Sequence, residues 1–246
     1  MTVEDIAYVE LYAKDKVRAV RHLVSALGFT RVADCVEMDR SSVLLRQGPV
    51  QLVVTSGRGT WRFLSEHGEG VADIALNCRS VGAVQGAALA AGASVRRSAH
   101  GNAVVGGAAV FSHTLLPASP DGGPALPAGR RWAATPGAPA HPTGPVHGFD
   151  HLAIRCPADR LESYAAFCEG ALGFTRTAPT ERDAAASTVL TGGSGRTSLV
   201  LGVADWSEPG VHRIAFRSAP SDLSTPLEGS ENGDPWHCLF ERHALV

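Results

Sequence analysis

Three short segments in the second half of the chain contain the side chains that could do chemistry. They are residues 148–154 (GFDHLAI), 210–216 (GVHRIAF) and the last apolar run, 236–243. Imidazole, thiolate and carboxylate groups bind transition metals such as iron. A guanidinium group has no available lone pair, and it binds carboxylates instead. The candidate residues in these segments are His151, His212, Arg213, His237, Cys238 and Glu241.

The alternation of side chains along a strand distinguishes His212 from Arg213. Ile214 has the parity of His212 and predicts the face that packs against helices. Arg213 is then expected to line a half-buried barrel, with His212 pointing away unless a β-bulge shifts the register. An arginine in such a place needs an anionic partner. Glu241, Asp150 and a ligand carboxylate are the candidates.

The composition excludes several classes of protein. The chain has 246 residues, 44% of them hydrophobic, and a formal charge of −2, so a dedicated nucleic-acid binder is not expected. No apolar run approaches the roughly 18 residues that span a bilayer. The first residues, MTVEDIAYVE, do not read as a signal peptide. Five widely spaced cysteines without a CxxC pair argue against a disulfide scaffold and a zinc knuckle. A cytoplasmic protein without membrane or nucleic-acid partners is predicted.

The two halves of the chain repeat each other. The sequence ALGFTR occurs at residues 26–31 and again at 171–176. The sequence GVADIA at 70–75 is echoed by GVHRIA at 210–215. Between the halves lies a stretch rich in Pro and Gly, which favours neither helix nor sheet. An internal duplication joined by a linker explains this pattern.

Each half reads as strands and helices in the same order. Helices are predicted at about 14–27 and 158–171, each ending at a glycine, Gly28 or Gly173, that suits a left-handed C-cap. Alternating strands precede and follow them. The first half holds two βαβββ units, and the second holds one complete unit and an incomplete one. The predicted divisions are an N-terminal module at 1–117, a linker at 118–147 and a C-terminal module at 148–246.

Duplicated βαβββ modules resemble the vicinal oxygen chelate superfamily. Within it, the sequence is similar to the 4-hydroxyphenylpyruvate dioxygenase and 4-hydroxymandelate synthase family, the second more closely, with a shortened C-terminus. The resemblance implies an α+β fold of glyoxalase-like open barrels with the last module incomplete. The matching stretches are residues 6–12, 43–55, 67–75, 113–115, 148–154, 171–174, 187–189, 210–216 and 241–243.

The resemblance also implies a chemistry. In that family two histidines and one carboxylate hold Fe(II) and leave positions open for a 2-oxo acid and O2. Oxidative decarboxylation of an arylpyruvate then leads to hydroxylation. The metal belongs to the C-terminal module, and the first module has none. Tyr8 stands where the second half has His151, in agreement with that division.

The family's ligands carry over to this chain only in part. His151 matches the first ligand. Arg213 occupies the position of the second, and His212 is its neighbour. The third ligand position is open: it falls on Glu241 or, with another anchoring of the last strand, on Cys238, and His237 lies nearby. Ser187 matches a serine that contacts substrate in the family. The expected iron site is therefore altered and impaired.

Two functions are compatible with these residues. One is an iron-dependent dioxygenase of aromatic amino-acid or secondary metabolism, acting on a small aromatic 2-oxo acid through His151, His212 and Glu241. The other is a metal-free binding protein or a non-oxidative enzyme, in which Arg213 pairs with a ligand carboxylate. Because an incomplete barrel leaves strand edges to cover, a homodimer is predicted for either function.

Overall fold

The computed structural model describes residues 3–118, 126–178, 188–196, 198–218 and 239–244, the last segment with side chains through Phe240. The strands of the first half are β1 (Val3–Tyr12), β2 (Thr30–Val36), β3 (Ser41–Gln47), β4 (Val50–Ser56), β5 (Gly70–Cys78), β6 (Ser94–Arg97), β7 (Ala103–Gly106) and β8 (His113–Pro117). Its helices are α1 (Lys16–Leu27), α2 (Trp61–His67), which follows a 3-10 turn at Arg58–Thr60, and α3 (Val81–Ala90).

The remaining elements begin after residue 126. The strands are β9 (Ala133–Ala134), β10 (Val146–Cys156), β11 (Thr175–Thr177), β12 (Thr188–Thr191), β13 (Ser198–Val203), β14 (Gly210–Ser218) and β15 (Phe240–Ala244). Helix α4 (Leu161–Phe167) continues into a π-helical turn at Cys168–Leu172.

Within the described residues the strands form two sheets of related design. One has the order β6-β7-β8-β5-β1-β4-β3-β2-β9, and the other has the order β11-β12-β13-β10-β14-β15. In the first, β1 is antiparallel to β5 and parallel to β4. In the second, β10 is antiparallel to β14 and parallel to β13. This correspondence confirms the predicted α+β fold of duplicated βαβββ units, and β15 is the one strand described after β14.

The helices begin and end for local reasons. Asp15 caps α1, since its carboxylate accepts a hydrogen bond from the backbone N–H of Arg18 at 3.0 Å. Gly28 and Gly173 both have φ of 75°, which confirms the predicted left-handed C-caps. The second predicted helix starts later than expected, at Leu161, because the residues before it form a turn.

The apolar faces of the two sheets share one hydrophobic core. One cluster of buried side chains contains residues of both halves. Phe216 of β14 joins them, because its ring centroid lies 5.6 Å from that of Phe29 and 5.9 Å from that of Phe240. Burial of one such side chain contributes about 1.5–3 kcal/mol. Among the described residues, no helix has the length and apolar character of a membrane-spanning segment.

The predicted linker makes more structure than its composition suggests. Residues 126–134, which we call the strap, run along the first sheet and end in β9, which pairs with β2. Asn102 donates a hydrogen bond to the carbonyl of Ala128 at 2.9 Å, and Arg130 forms a buried ion pair with Glu10. The expectation that this stretch favours no sheet is therefore wrong for β9, because tertiary contacts hold it. The division of the chain at residues 118–147 stays a prediction.

Candidate functional site

The second sheet presents His151 in the middle of β10. The side chain is half-buried, and its Nδ1 lies 2.9 Å from Oδ2 of Asp150. A carboxylate oxygen can only accept, so in the neutral ring Nδ1 carries the proton and Nε2 keeps its lone pair. The backbone places His151 directly opposite Ala215 of β14 on one side and Ser198 of β13 on the other.

A β-bulge in β14 changes the expected position of His212. Ala153 pairs with Arg213 and Ile154 pairs with Val211, so His212 is the extra residue between the two pairs. With strict alternation His212 would point away from the site, and a bulge of this kind is the condition under which it can turn toward the site. Its Nδ1 lies 3.0 Å from the carbonyl oxygen of Ala153, which accepts the ring proton.

His212 is a neutral imidazole at physiological pH. Burial lowers the pKa of His212 to about 4, and the charge of Arg155 is the next largest cause. Arg213 and His151 lower the pKa of His212 further. These four side chains therefore share one electrostatic environment, in which Nε2 of His212 offers a lone pair rather than a proton.

Arg213 does not lie in the half-buried environment that strand parity predicted. It pairs with Ala153, but its side chain is exposed. The prediction was wrong because strand parity fixes only the face of the sheet: on this face Ala153 and Ala215 are buried, whereas the longer side chain of Arg213 is exposed. An exposed guanidinium keeps its hydration, so the argument that it must have a buried anionic partner does not hold.

The third position of the predicted triad can be placed by backbone register. Glu241 of β15 pairs with Ala215 of β14, the same residue that lies opposite His151. His151, Ala215 and Glu241 thus form one row across three strands. Ser187, His237 and Cys238 lie outside the described residues, so only the backbone register of Glu241 bears on the choice among the third-ligand candidates.

The first sheet repeats this site with other residues. Tyr8 pairs with Ala75 as His151 pairs with Ala215. In the next row of each sheet, Asp73 pairs with Glu10 in the first half and Arg213 pairs with Ala153 in the second.

The third position repeats as well. The backbone N–H of Ile74 donates a hydrogen bond to the carbonyl oxygen of Ser112, and that of Ile214 donates one to the carbonyl oxygen of Leu239. Thr114 and Glu241 each lie two residues after the acceptor, so Thr114 is the counterpart of Glu241. The first half therefore carries a phenol, a carboxyl group and a hydroxyl at these three positions, and all three side chains are buried.

Sequence reasoning missed most of this second cluster. Asp73 could have been found, because GVADIA places it where GVHRIA has Arg213. Arg130, which joins the cluster from the strap, gave no signal, since it lies in a stretch dominated by Pro and Gly. Tyr8, which the sequence places where the second half has His151, is buried.

The described side chains do not make up the iron site that the resemblance implies. Across the residues described, no three His, Cys, Asp or Glu side chains come together to hold a metal ion. His151 and His212 supply two imidazole donors, but Arg155 and Arg213 bring two positive charges to the same environment. Two imidazoles beside two guanidinium groups do not make up a 2-His-1-carboxylate set.

Comparison with known proteins agrees with the fold and the sequence motifs. Residues 1–111 match the family model of hydroxyphenylpyruvate dioxygenase, N-terminal. A triple variant of 4-hydroxymandelate synthase from Streptomyces coelicolor superposes with a TM-score of 0.76 and 27% identity, covering 89% of this chain and 72% of that one.

A second solved structure shows likeness of fold alone. It is a xylose isomerase-like TIM barrel/4-hydroxyphenylpyruvate dioxygenase fusion protein, with a TM-score of 0.73 and 20% identity, and the match covers 88% of this chain and 37% of the fusion. The chain thus has the duplicated architecture of the vicinal oxygen chelate superfamily and resembles 4-hydroxymandelate synthase and the N-terminal part of hydroxyphenylpyruvate dioxygenase.

Proposed function

We propose that this protein is a divergent relative of 4-hydroxymandelate synthase and 4-hydroxyphenylpyruvate dioxygenase that acts on a small aromatic 2-oxo acid or a related carboxylate. The site is the face of the second sheet around His151, and its metal centre is altered and impaired. A cytoplasmic setting in aromatic amino-acid or secondary metabolism and a homodimeric state belong to the same proposal. Light scattering at micromolar concentration tests the dimer, and a stable monomer would contradict it.

The observation that carries this proposal is the common environment of Arg155, Arg213, His151 and His212. Both arginines lower the pKa of His212, and Arg213 pairs with Ala153, the residue whose carbonyl oxygen lies 3.0 Å from Nδ1 of His212. Arginine binds a carboxylate through two parallel hydrogen bonds. In the family a metal supplies positive charge to the bound 2-oxo acid, and here Arg213 supplies it from the position of the second ligand.

The two imidazoles then act on the rest of the substrate. Nε2 of neutral His212 accepts a hydrogen bond or a proton, because its Nδ1 is already a donor to Ala153. His151, whose Nδ1 is held by Asp150, lies two residues before Ala153 on the same strand. An oriented acceptor beside a carboxylate clamp suits binding or enolisation of a 2-oxo acid, since enolisation needs a base near the carbon next to the carbonyl.

Calorimetric titration with 4-hydroxyphenylpyruvate tests the clamp. Arg213→Gln should weaken binding by about tenfold or more, because a hydrogen-bonded charge pair is worth about 1.5–3 kcal/mol. Arg176→Gln is the matched control, since Arg176 pairs with Glu162 and Glu169 on the far edge of the same sheet. Equal losses in both variants, or none in either, would refute the clamp.

A second candidate function is an iron enzyme with ligands His151, His212 and Glu241. The bulge favours it, because it releases His212 from strict alternation. The row of His151, Ala215 and Glu241 favours it too. Metal analysis of protein purified without chelator separates the two functions. Stoichiometric iron that disappears in His151→Ala, but stays in His147→Ala on the exposed side of β10, would establish the second function and exclude the first.

A further inference from the structure

The first sheet encloses a cavity that the proposed function does not use. Its volume is about 400 Å³, which lies within the range of small-molecule sites. Its inner wall is formed by Tyr8, Glu10, Asp73, Thr114 and Arg130. We call this cavity the N-terminal cup. It is separate from the face around His151, so a result here neither supports nor weakens the proposed function.

One carboxylate of the cup is already paired with a cation from the chain itself. Arg130 of the strap forms an ion pair with Glu10, and the two side chains are only 7% and 5% exposed. Thr55 also donates a hydrogen bond to Glu10 at 2.6 Å, and Arg130 donates one to Ser42 at 3.2 Å. The negative charge of Glu10 is thus balanced inside the protein.

The second carboxyl group of the cup has half of its hydrogen-bonding capacity unused. Asp73 is 6% exposed, and Ser112 donates a hydrogen bond to its Oδ1 at 2.6 Å. Its Oδ2 is buried and has no hydrogen-bond partner among the described residues, and Asp73 is one of the residues that line the cavity. A buried polar atom without a partner costs about 1–3 kcal/mol, and more if it is charged. Burial, with the charge of Glu10 in addition, raises the pKa of Asp73 to about 7.

The charges at the mouth of the cup are mostly paired with each other. Arg40 binds Asp39 at 3.1 Å, and His100 lies 3.5 Å from Glu37. Arg96 is exposed at the rim. The inner wall therefore holds two carboxyl groups against one guanidinium group, and ionised Asp73 leaves it with one uncompensated negative charge.

We propose that the N-terminal cup binds a small organic amine, whose ammonium group donates a hydrogen bond to Oδ2 of Asp73. An ammonium group has three donors. The hydroxyl oxygens of Tyr8 and Thr114, on the same wall, accept the other two. The neighbouring carboxylate of Glu10 already binds a cation that donates hydrogen bonds, the guanidinium group of Arg130. An ammonium group would bind Asp73 in the same way.

Paired probes of nearly equal shape test the proposal on the unaltered 246-residue protein. Phenethylamine, butylamine and methylamine are titrated by calorimetry at pH 8, each beside its alcohol analogue: 2-phenylethanol, butanol and methanol. At least one amine should bind about tenfold or more tightly than its alcohol, which corresponds to about 1.4 kcal/mol. If no amine binds at millimolar concentration, or if amine and alcohol bind equally, the proposal is overturned.

A pair of variants then locates the site. Asp73→Asn should lose the preference for the amine, whereas Asp34→Asn should keep it, because Asp34 pairs with Arg31 outside the cavity. Retention of the preference in Asp73→Asn would assign the amine to another place on the protein and refute the role of Asp73. If Asp73→Asn does not fold, the comparison of amine and alcohol on the unaltered protein still decides.

Discussion

Tyr8 and His151 occupy the same position in the two halves of the protein, each directly opposite an alanine of the neighbouring antiparallel strand. The alanines, Ala75 and Ala215, leave room for the larger side chain across from them. The duplication has therefore kept the frame of the site and changed its chemistry. The first half has a phenol with the buried carboxyl groups of Glu10 and Asp73 in the next row, and the second has an imidazole with Ala153 and Arg213 in the next row.

Restoring a histidine in the second half tests how much of a metal site remains. Arg213→His should raise the affinity for Fe(II) or Co(II) by at least about tenfold, since it removes a positive charge and adds a donor beside His151. Anaerobic calorimetry measures the affinity, and the visible absorption of Co(II) reports its coordination. The double variant Arg213→His, His151→Ala should return to the starting affinity. An unchanged affinity in the single variant would mean that the other donors do not converge.

The sequence predicted the repeated frame because that frame rests on local signals. Gly28 and Gly173 end helices at equivalent places, and the alternation of apolar residues predicted the central strands. The position of His212 could not be predicted, because a bulge arises from the pairing of β10 with β14 and not from β14 alone. The role of Arg130 was equally hidden, since its partner Glu10 is 120 positions away in sequence.

The ion pair of Arg130 and Glu10 should make the strap a stabilising element. Arg130→Met is expected to lower the free energy of unfolding by about 3–5 kcal/mol, because it leaves a buried carboxylate without its partner. The double variant Glu10→Gln, Arg130→Met should lose less than the sum of the two single variants. Urea denaturation measures all of these values.

An exposed pair on the same sheet provides the control for that experiment. Arg31 binds Asp34 at 2.6 Å, but half of the Arg31 side chain is exposed. Arg31→Met should therefore cost less than about 1 kcal/mol. If Arg130→Met costs no more than Arg31→Met, the strap does not depend on its ion pair.

His113 should make the protein less stable in mild acid. Its side chain is 3% exposed, next to the rings of Phe111 and Phe167, and burial lowers the pKa of His113 to about 4. Between about pH 4 and 6.5 the unfolded chain binds the proton and the folded chain does not. The stability from this group is therefore complete above pH 6.5 and falls as the pH drops toward 4, by an amount on the order of 3 kcal/mol.

Urea midpoints measured across this range check the role of His113. His113→Phe keeps an aromatic ring in the site and should remove this part of the pH dependence. His147→Phe changes an exposed histidine of β10 and should leave the pH dependence unchanged. A pH profile for His113→Phe that parallels that of the unaltered protein would show that His113 is not the group responsible.

Asp73 should contribute a pH dependence of opposite sign. Its pKa is about 7 in the folded protein and near 4 in the unfolded chain, so in this window the folded state holds the extra proton. Its contribution to stability therefore falls as the pH rises from about 4 to 7, by up to about 4 kcal/mol. Since the contribution of His113 rises over nearly the same range, the two offset each other in the unaltered protein.

Single variants should separate the two opposing contributions of Asp73 and His113 to the pH dependence of stability. Asp73→Asn should show a steeper rise in stability from pH 4 to 6.5 than the unaltered protein, because the contributions of His113 and of His212, whose pKa is also about 4, are left without an opposing one. His113→Phe should show a smaller rise than the unaltered protein, because the contribution of Asp73 then opposes that of His212 alone. The double variant should follow the unaltered protein in this window, with Asp34→Asn as a control that changes an exposed carboxylate pair. A rise in Asp73→Asn that is no steeper than that of the unaltered protein would show that Asp73 does not hold its proton in the folded state.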